Sequence, residues 1–305
     1  MSEPGEQPAA APDTPGAHGR PPLLRLGTRG SPLALRQAEL VAGALAGEVE
    51  IIVLRTGGDR GESGDKRRWV DTIETALCDQ SVDLAVHSAK DLPAALARGL
   101  VIAGSPARED PRDALCGAAS IAALPPGARV GTSSLRRRAQ LLALREDLEV
   151  ADLHGNLDTR LGRLAAGDFD AIVLAAAGLR RLGRFGWRAS DDLVPAAGQG
   201  TLAIEAREGD QRVAAAIAAL RHEPTERALA AERALVRAMG AGCDTPVGAH
   251  ARQQRDGVLE LTAFVGAPDG TEWIRDRLSG EAEPVALGEA VAERLLSCGA
   301  GALLG

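Results

Sequence analysis

This 305-residue chain has no tyrosine, three phenylalanines and three tryptophans, so aromatic side chains make up only 2% of it. Stacking platforms for bases are therefore poorly supplied, which argues against a binder of single-stranded nucleic acid. Lysine is almost missing: Lys66 and Lys90 are the two, and arginine supplies every other basic side chain. The formal net charge of −7 further opposes DNA or RNA as a partner. Cys78, Cys116, Cys243 and Cys298 lie far apart and form no C-x-x-C pair. That spacing argues against a zinc knuckle or disulfide framework and fits a reducing cytosol. No run approaches the ~20 apolar residues of a membrane span. Residues 1–22 are rich in Pro, Gly and Ala, with acidic residues and no apolar h-region. They read as a disordered tail, neither signal nor transit peptide.

From Leu23 onward, short apolar runs alternate with helical patterns. "LLRLGTR" reads as a strand, and "SPLALRQAELVAGALA" as a helix capped by Ser31 with Pro32 at its first position. "VEIIVLRT", "VDLAVHS" and "LVIAGS" read as strands, and "WVDTIETALCDQ" as a helix. The alternation repeats through "ARVGTSS", "LRRRAQLLALRE", "LEVADLHG", "LDTRLGRLAAG" and "DAIVLAAAG", the last read as a strand. Such alternation predicts α/β domains with parallel sheets buried by helices. The expected organisation is domain 1 over 23–108 and 201–223, domain 2 over 109–200, and an α+β domain 3 over 224–305. Domain 3 begins with the helix "TERALAAERALVRAM" and continues through "VLELTAFVG".

Polar groups collect where strands end: "GTRGS", "HSAKD", "GTSSLRRR" and "HGNLDTR". In open parallel sheets ligands bind beyond the carboxyl ends of the strands, so one site built from several loops is expected. In "GTSSLRRR", Ser134 stands at a helix start, a favourable place for an anion. Arg136 and Arg137 in the first turn could grip carboxylate or phosphate, or simply form a solvated helix end. Arg138 is expected along the apolar stripe, snorkelling. Arg29, Arg160 and Arg181 at other element ends favour an anion with several carboxylates; no phosphate-loop motif is present. Lys90 and Asp91 form either a simple turn or a cation-stabilising, proton-shuttling pair. His87 reads as a hydrogen-bonded core or loop residue, because no partner His occurs at metal-ligand spacing. Cys243, in the Gly/Pro loop "MGAGCDTPVG", is open to covalent attachment or to burial; Cys78 and Cys116 read as buried structural thiols.

Together the segments "LGTRGSPLALRQA", "VDLAVHSAKDLP", "REDPRDAL", "VGTSSLRRRAQL", "GNLDTRLGRL", "DAIVLAAAGLRRLG", "PAAGQG" and "GCDTPVGA" resemble, in order, the porphobilinogen deaminase (hydroxymethylbilane synthase) family. The resemblance implies two α/β domains like those of periplasmic binding proteins around a cleft, plus a C-terminal α+β domain. It implies a cytoplasmic, monomeric transferase of tetrapyrrole biosynthesis that condenses four porphobilinogen molecules on a covalent dipyrromethane primer, releasing ammonia. By motif position the primer's cysteine is Cys243 and the catalytic aspartate is Asp91. A fixed carboxylate there would stabilise the cationic azafulvene left when ammonia departs, and hand protons on. The family's acetate and propionate binders map onto Arg29, Ser31, Lys90, Ser134, Arg136, Arg137, Arg160 and Arg181, with Gln37 and Gln199 as polar cleft positions. In this reading Arg138 keeps a structural role.

Two departures stand out. Where the family has "L-R-G-N", this chain has Leu153–His154–Gly155–Asn156, so an imidazole replaces a guanidinium with five donors. The family's Gly-rich mobile loop reads "GDKRRW" here, placing Lys66 and Trp69 at its Lys and Phe positions. The competing reading from another class is a non-catalytic, bilobed binding protein for a polycarboxylate, although mere binding requires neither Asp91 nor Cys243.

Overall fold

The computed structural model describes residues 23–54, 67–242, 244–254, 257–280 and 283–304, with the backbone alone for 67–69. Strand β1 (Leu24–Arg29) leads into α1 (Pro32–Ala42), which starts where the sequence predicts. The Ser31 hydroxyl accepts the Ala34 N–H at 3.3 Å, and Pro32 takes the first turn, where no N–H is needed. The chain returns through β2 (Val49–Leu54) and, after α2 (Arg67–Cys78), forms β3 (Leu84–Ser88), a 3-10 turn over Ala89–Asp91 and β4 (Leu100–Gly104).

A second set of elements follows: β5 (Asp113–Cys116), β6 (Arg129–Gly131), α3 (Leu135–Leu144), β7 (Glu149–Ala151), α4 (Leu157–Ala165), β8 (Ala171–Ala175), α5 (Ala176–Arg181) and β9 (Trp187–Ser190). The chain then returns to the first sheet as β10 (Leu202–Arg207), followed by α6 (Gln211–Ile217). The last elements are α7 (Glu223–Ala238), β11 (Val247–Gln253), β12 (Leu259–Gly266), β13 (Trp273–Gly280) and α8 (Pro284–Ser297). The strands make three sheets, ordered β2-β1-β3-β10-β4, β7-β6-β8-β5-β9 and β11-β12-β13.

The parallel expectation holds for β2-β1-β3 and β7-β6-β8 but not for whole sheets. Strand β10 runs antiparallel to β3 and β4, and β5 runs antiparallel to β8 and β9. The reason lies in the two crossings between sheets. Strands of the β-α-β units end at the cleft, whereas β5 and β10 begin there, each directly after a crossing. Leu202 at the start of β10 thus pairs with Ser88 at the end of β3, and Asp113 with Ala175. The "DAIVLAAAG" run also divides: the strand stops at Ala175, and the alanines beyond it turn into α5, as their high helix propensity favours.

The two crossings lie against each other. The Glu109 N–H donates to the Gly200 carbonyl at 3.2 Å. Gly200 has φ +88°, and a Cβ there would stand 2.3 Å from the Glu109 carbonyl oxygen, so no other residue fits. Fully buried Glu232 of α7 ties the crossings to the third sheet. It accepts from Arg108 Nη1 at 2.6 Å, from the Gly198 N–H at 2.6 Å and from the Ala251 N–H at 2.7 Å. Helices α7 and α8 cover one face of that sheet around Leu235, Leu261, Val265, Val291 and Leu295.

Candidate active site

The ends of β1 and β3 open into a pocket whose polar lining is Arg29, Ser31, Gln37, His87, Ser88 and Asp91. Arg29 is the last residue of β1, and Asp91 closes the 3-10 turn after β3. Gln37, buried on α1, donates through Nε2 to the Ser88 hydroxyl at 2.9 Å, fastening the helix to the strand end. The strand-end location expected from the sequence therefore assembles these residues from separate segments.

A polar chain leaves the cleft from Lys90. Its Nζ donates to Gln199 Oε1 at 3.2 Å, and fully buried Gln199 donates onward through Nε2 to the Pro111 carbonyl at 2.7 Å and Asp113 Oδ1 at 3.0 Å. Asp113, at the head of β5 and wholly buried, receives both first-turn arginines of α3. Arg136 Nη1 lies 2.7 Å from its Oδ2, and Arg137 Nε donates to its Oδ1 at 2.8 Å. Arg136 also donates to the Val194 carbonyl at 2.6 Å, and Arg137 to the Val173 carbonyl at 2.9 Å. Ser134 caps the helix by accepting the Arg137 N–H. Arg138 is half-buried with its guanidinium reaching out to exposed Asp152 at 3.0 Å, in line with the expected snorkelling, while Arg136 and Arg137 are buried. Of the two readings offered for Arg136 and Arg137, the solvated helix end does not hold: both grip a carboxylate, that of Asp113.

Burial alone would raise the Asp113 carboxyl, but Arg136 and Arg137 outweigh it and hold the group well below the usual carboxylate range. Two guanidiniums share that single carboxylate. Burial pushes Arg137 down, Asp113 opposes, and Arg136 adds to the push. Half-buried Arg160 of α4 is likewise lowered by burial and by Arg137, with Asp91 opposing. Burial pushes Arg181 down to about 10, and its Nη2 donates to the Gly200 carbonyl at 2.6 Å. Arg160 thus senses Asp91 of the first sheet and Arg137 of its own. An incoming carboxylate would relieve each of these crowded cations. The donor set fits a ligand bearing several acidic arms.

His154 is exposed in the loop after β7. Lys66 and Cys243 lie outside the described residues, as does the Trp69 side chain, whose backbone is in the first turn of α2. Cys116 is buried and its thiol is pushed up to about 11 by burial. Cys78, expected inside, is exposed at the end of α2; it falls on the solvent side of a helix that buries Val70, Ile73 and Leu77. Sequence reasoning quoted "REDPRDAL" without giving Asp113 a role. Its signal was an acid at the head of the apolar run "DALC". Ser88 and Glu205 were also missed, because their partners are distant in sequence.

Comparison with known proteins gives concordant results. The family description "Porphobilinogen deaminase, dipyromethane cofactor binding domain" matches residues 24–215, and "Porphobilinogen deaminase, C-terminal domain" matches 227–297. A protein named porphobilinogen deaminase from Thermus thermophilus is 46% identical over 271 residues, 85% of this chain and 90% of its own length. Its namesake from Pelobacter propionicus is 45% identical over 302 residues, 93% and 97% of the two chains. Among solved structures, an ABC transporter protein from Parabacteroides distasonis aligns with a TM-score of 0.42 at 16% identity, over 64% of this chain and 70% of that one. With both family descriptions matched in order and close to half of all residues shared along nearly the whole chain, the protein belongs to the porphobilinogen deaminase family.

Proposed function

We propose that this chain performs its family's transferase reaction, the head-to-tail condensation of four porphobilinogen molecules into hydroxymethylbilane, in the cleft around Asp91. The supporting observation is the set of buried and half-buried arginines here: Arg136 and Arg137 share Asp113, and Arg160 lies within electrostatic reach of both Asp91 and Arg137. Acetate and propionate arms supply further negative charge. Arg29, Ser31, Lys90, Ser134, Arg160, Arg181 and His154 hold those arms, and Arg136 and Arg137 lend charge from behind. A dipyrromethane carried on Cys243 supplies the pyrrole terminus to which substrate is added. Asp91 stabilises the cation formed when substrate loses ammonia. Its carboxylate works in a cleft that partly excludes water, where a fixed charge acts more strongly than in solution. Gln37 and Gln199 hold Ser88 and Lys90 in place.

Two free thiols, Cys78 and Cys298, are exposed, which supports placement in a reducing cytoplasm. No described helix is long and apolar enough to cross a membrane. A monomer is the expected state.

The test is direct. Protein from a host competent in tetrapyrrole synthesis is expected to exceed its 31.5 kDa sequence mass by two linked pyrrole units. Cys243→Ser should lack the excess, and porphobilinogen should be consumed with product trapped as uroporphyrin. Unmodified protein that leaves porphobilinogen untouched would overturn the reading and favour the binding protein. His154→Arg is a second prediction: restoring a guanidinium adds donors and is expected to raise primer retention or turnover. Unchanged retention and kinetics across the pH range would make the substitution neutral.

A further inference from the structure

One residue of the pocket lining, His87, belongs to an ionisable pair that the proposed reaction does not use. His87 of β3 lines the pocket beside Asp91, and its Nε2 stands 2.9 Å from Glu205 Oε2 of β10. The two side chains are 6% and 0% exposed. The contact is one of distance: among the described residues His87 Nε2 and both Glu205 oxygens are buried without a hydrogen bond of good geometry. A carboxyl group sealed in a sheet with one imidazole for company is costly to keep, and apolar replacements of similar volume are often neutral or stabilising. Fold alone does not call for it: the rest of β10 inside the sheet is Leu202, Ala203, Ile204 and Ala206, all buried.

We propose that His87, backed by Glu205, is a second proton-handling group of this cleft: the base that takes the proton released from the pyrrole carbon where the new bond forms. The inference rests on the reaction proposed above. In each condensation the C–N bond of the substrate's ammoniomethyl group breaks, and its electron pair leaves on ammonia. A C–C bond forms from the pyrrole π electrons. The pyrrole C–H bond then breaks, its pair restores the ring, and one proton must be taken up. A carboxylate that has to stay ionised beside a cation is poorly placed to hold that proton as well; separate groups for separate roles solve the conflict. A hydrogen on Nε2, the nitrogen that faces Glu205 Oε2, leaves Nδ1 as the basic nitrogen of the imidazole.

The charged neighbours fit this role. They are Glu205 from β10, Glu74 from α2, Arg29 from β1 and Asp91 from the 3-10 turn, while α1 contributes neutral Gln37. Burial pushes the Glu74 carboxyl up; its hydrogen bond from the Ala97 N–H opposes this, and Glu205 and Asp71 add to the rise while His87 opposes it.

The experiment is chemical rescue with a spectroscopic check. His87→Ala is expected to keep the primer by intact mass, to lose roughly 10²-fold in kcat with little change in KM, and to recover turnover in proportion to added imidazole. Glu205→Gln, nearly isosteric, should remove one ionisation from the kcat–pH profile. Imidazole nitrogen NMR of the wild type should show the Nε2–H tautomer, and Glu205→Gln should lose that preference. If His87→Ala fails to fold, Glu205→Gln and the tautomer signature carry the test. An unchanged kcat–pH profile in Glu205→Gln, an Nδ1–H tautomer in the wild type, or a His87→Ala defect that imidazole does not relieve would overturn the proposal. Wild type assayed alongside separates the two readings, since failure to consume porphobilinogen would instead overturn the parent reaction.

Discussion

Asp91→Ala is expected to fold like the wild type, keep substrate affinity, and lose kcat by a factor on the order of 10³ to 10⁴. Folding should survive because Asp91 is a half-buried residue closing a 3-10 turn, outside the apolar core. Affinity should survive because the groups proposed to bind acidic arms are cations, and removing Asp91 takes away the one carboxylate that offsets Arg160. Arg160 then has more to gain from a ligand carboxylate. The loss should fall on kcat because the carboxylate acts on charge that develops as ammonia leaves. Steady-state kinetics with circular dichroism and intact mass check the result. Near-normal rates would show that another group stabilises the cation. Asp91→Asn, which keeps shape and removes charge, should be nearly as slow.

Asp113→Ala should have the largest effect on stability. It leaves Arg136 and Arg137, both buried, facing each other with no carboxylate between them. Breaking a buried pair from one side costs about 3–5 kcal/mol, read as an earlier urea transition of the second sheet. The same change cuts the link from Gln199, so Lys90 should lose its fixed position and weaken binding of acidic ligands. The pH dependence follows from the depressed Asp113 carboxyl. An aspartate held below its unfolded value of roughly 3.9 contributes stability that is fully present above that pH and is lost as pH falls towards the folded value. Acid titration of the wild type should therefore show no change from this group between pH 5 and pH 7 and a decline below about pH 4. Asp113→Asn, retained in case the alanine variant does not fold, should show a shallower acid decline. An identical acid profile in the two proteins would remove Asp113 as the stabilising hub.

Much of the fold was legible in the chain because its signals are local. Ser31 and Pro32 start α1, and the apolar spacing of Val70, Ile73 and Leu77 marks α2. Strand direction was less legible. β5 and β10 have the apolar composition of their parallel neighbours, and only the two crossings at 105–112 and 191–201 reverse them. At the site, the meeting of the β1 and β3 ends in one pocket was legible from their motifs, since open α/β sheets bring such ends together. The burial of Arg136 and Arg137 was not legible because it depends on Asp113, more than twenty residues earlier.

The sequence by itself determined the family, the alternation of strand and helix, and which residue types are available for anionic ligands, because ordered motifs and hydrophobic periods are properties of neighbouring residues. Only the tertiary structure decided that Asp113 and Gln199 join Lys90 to the α3 arginines and that Glu205 backs His87 under Asp91. It also decided that Arg136 and Arg137 meet at one buried carboxylate. Such facts depend on distance and desolvation between residues far apart in sequence, and those quantities exist only once the chain has folded.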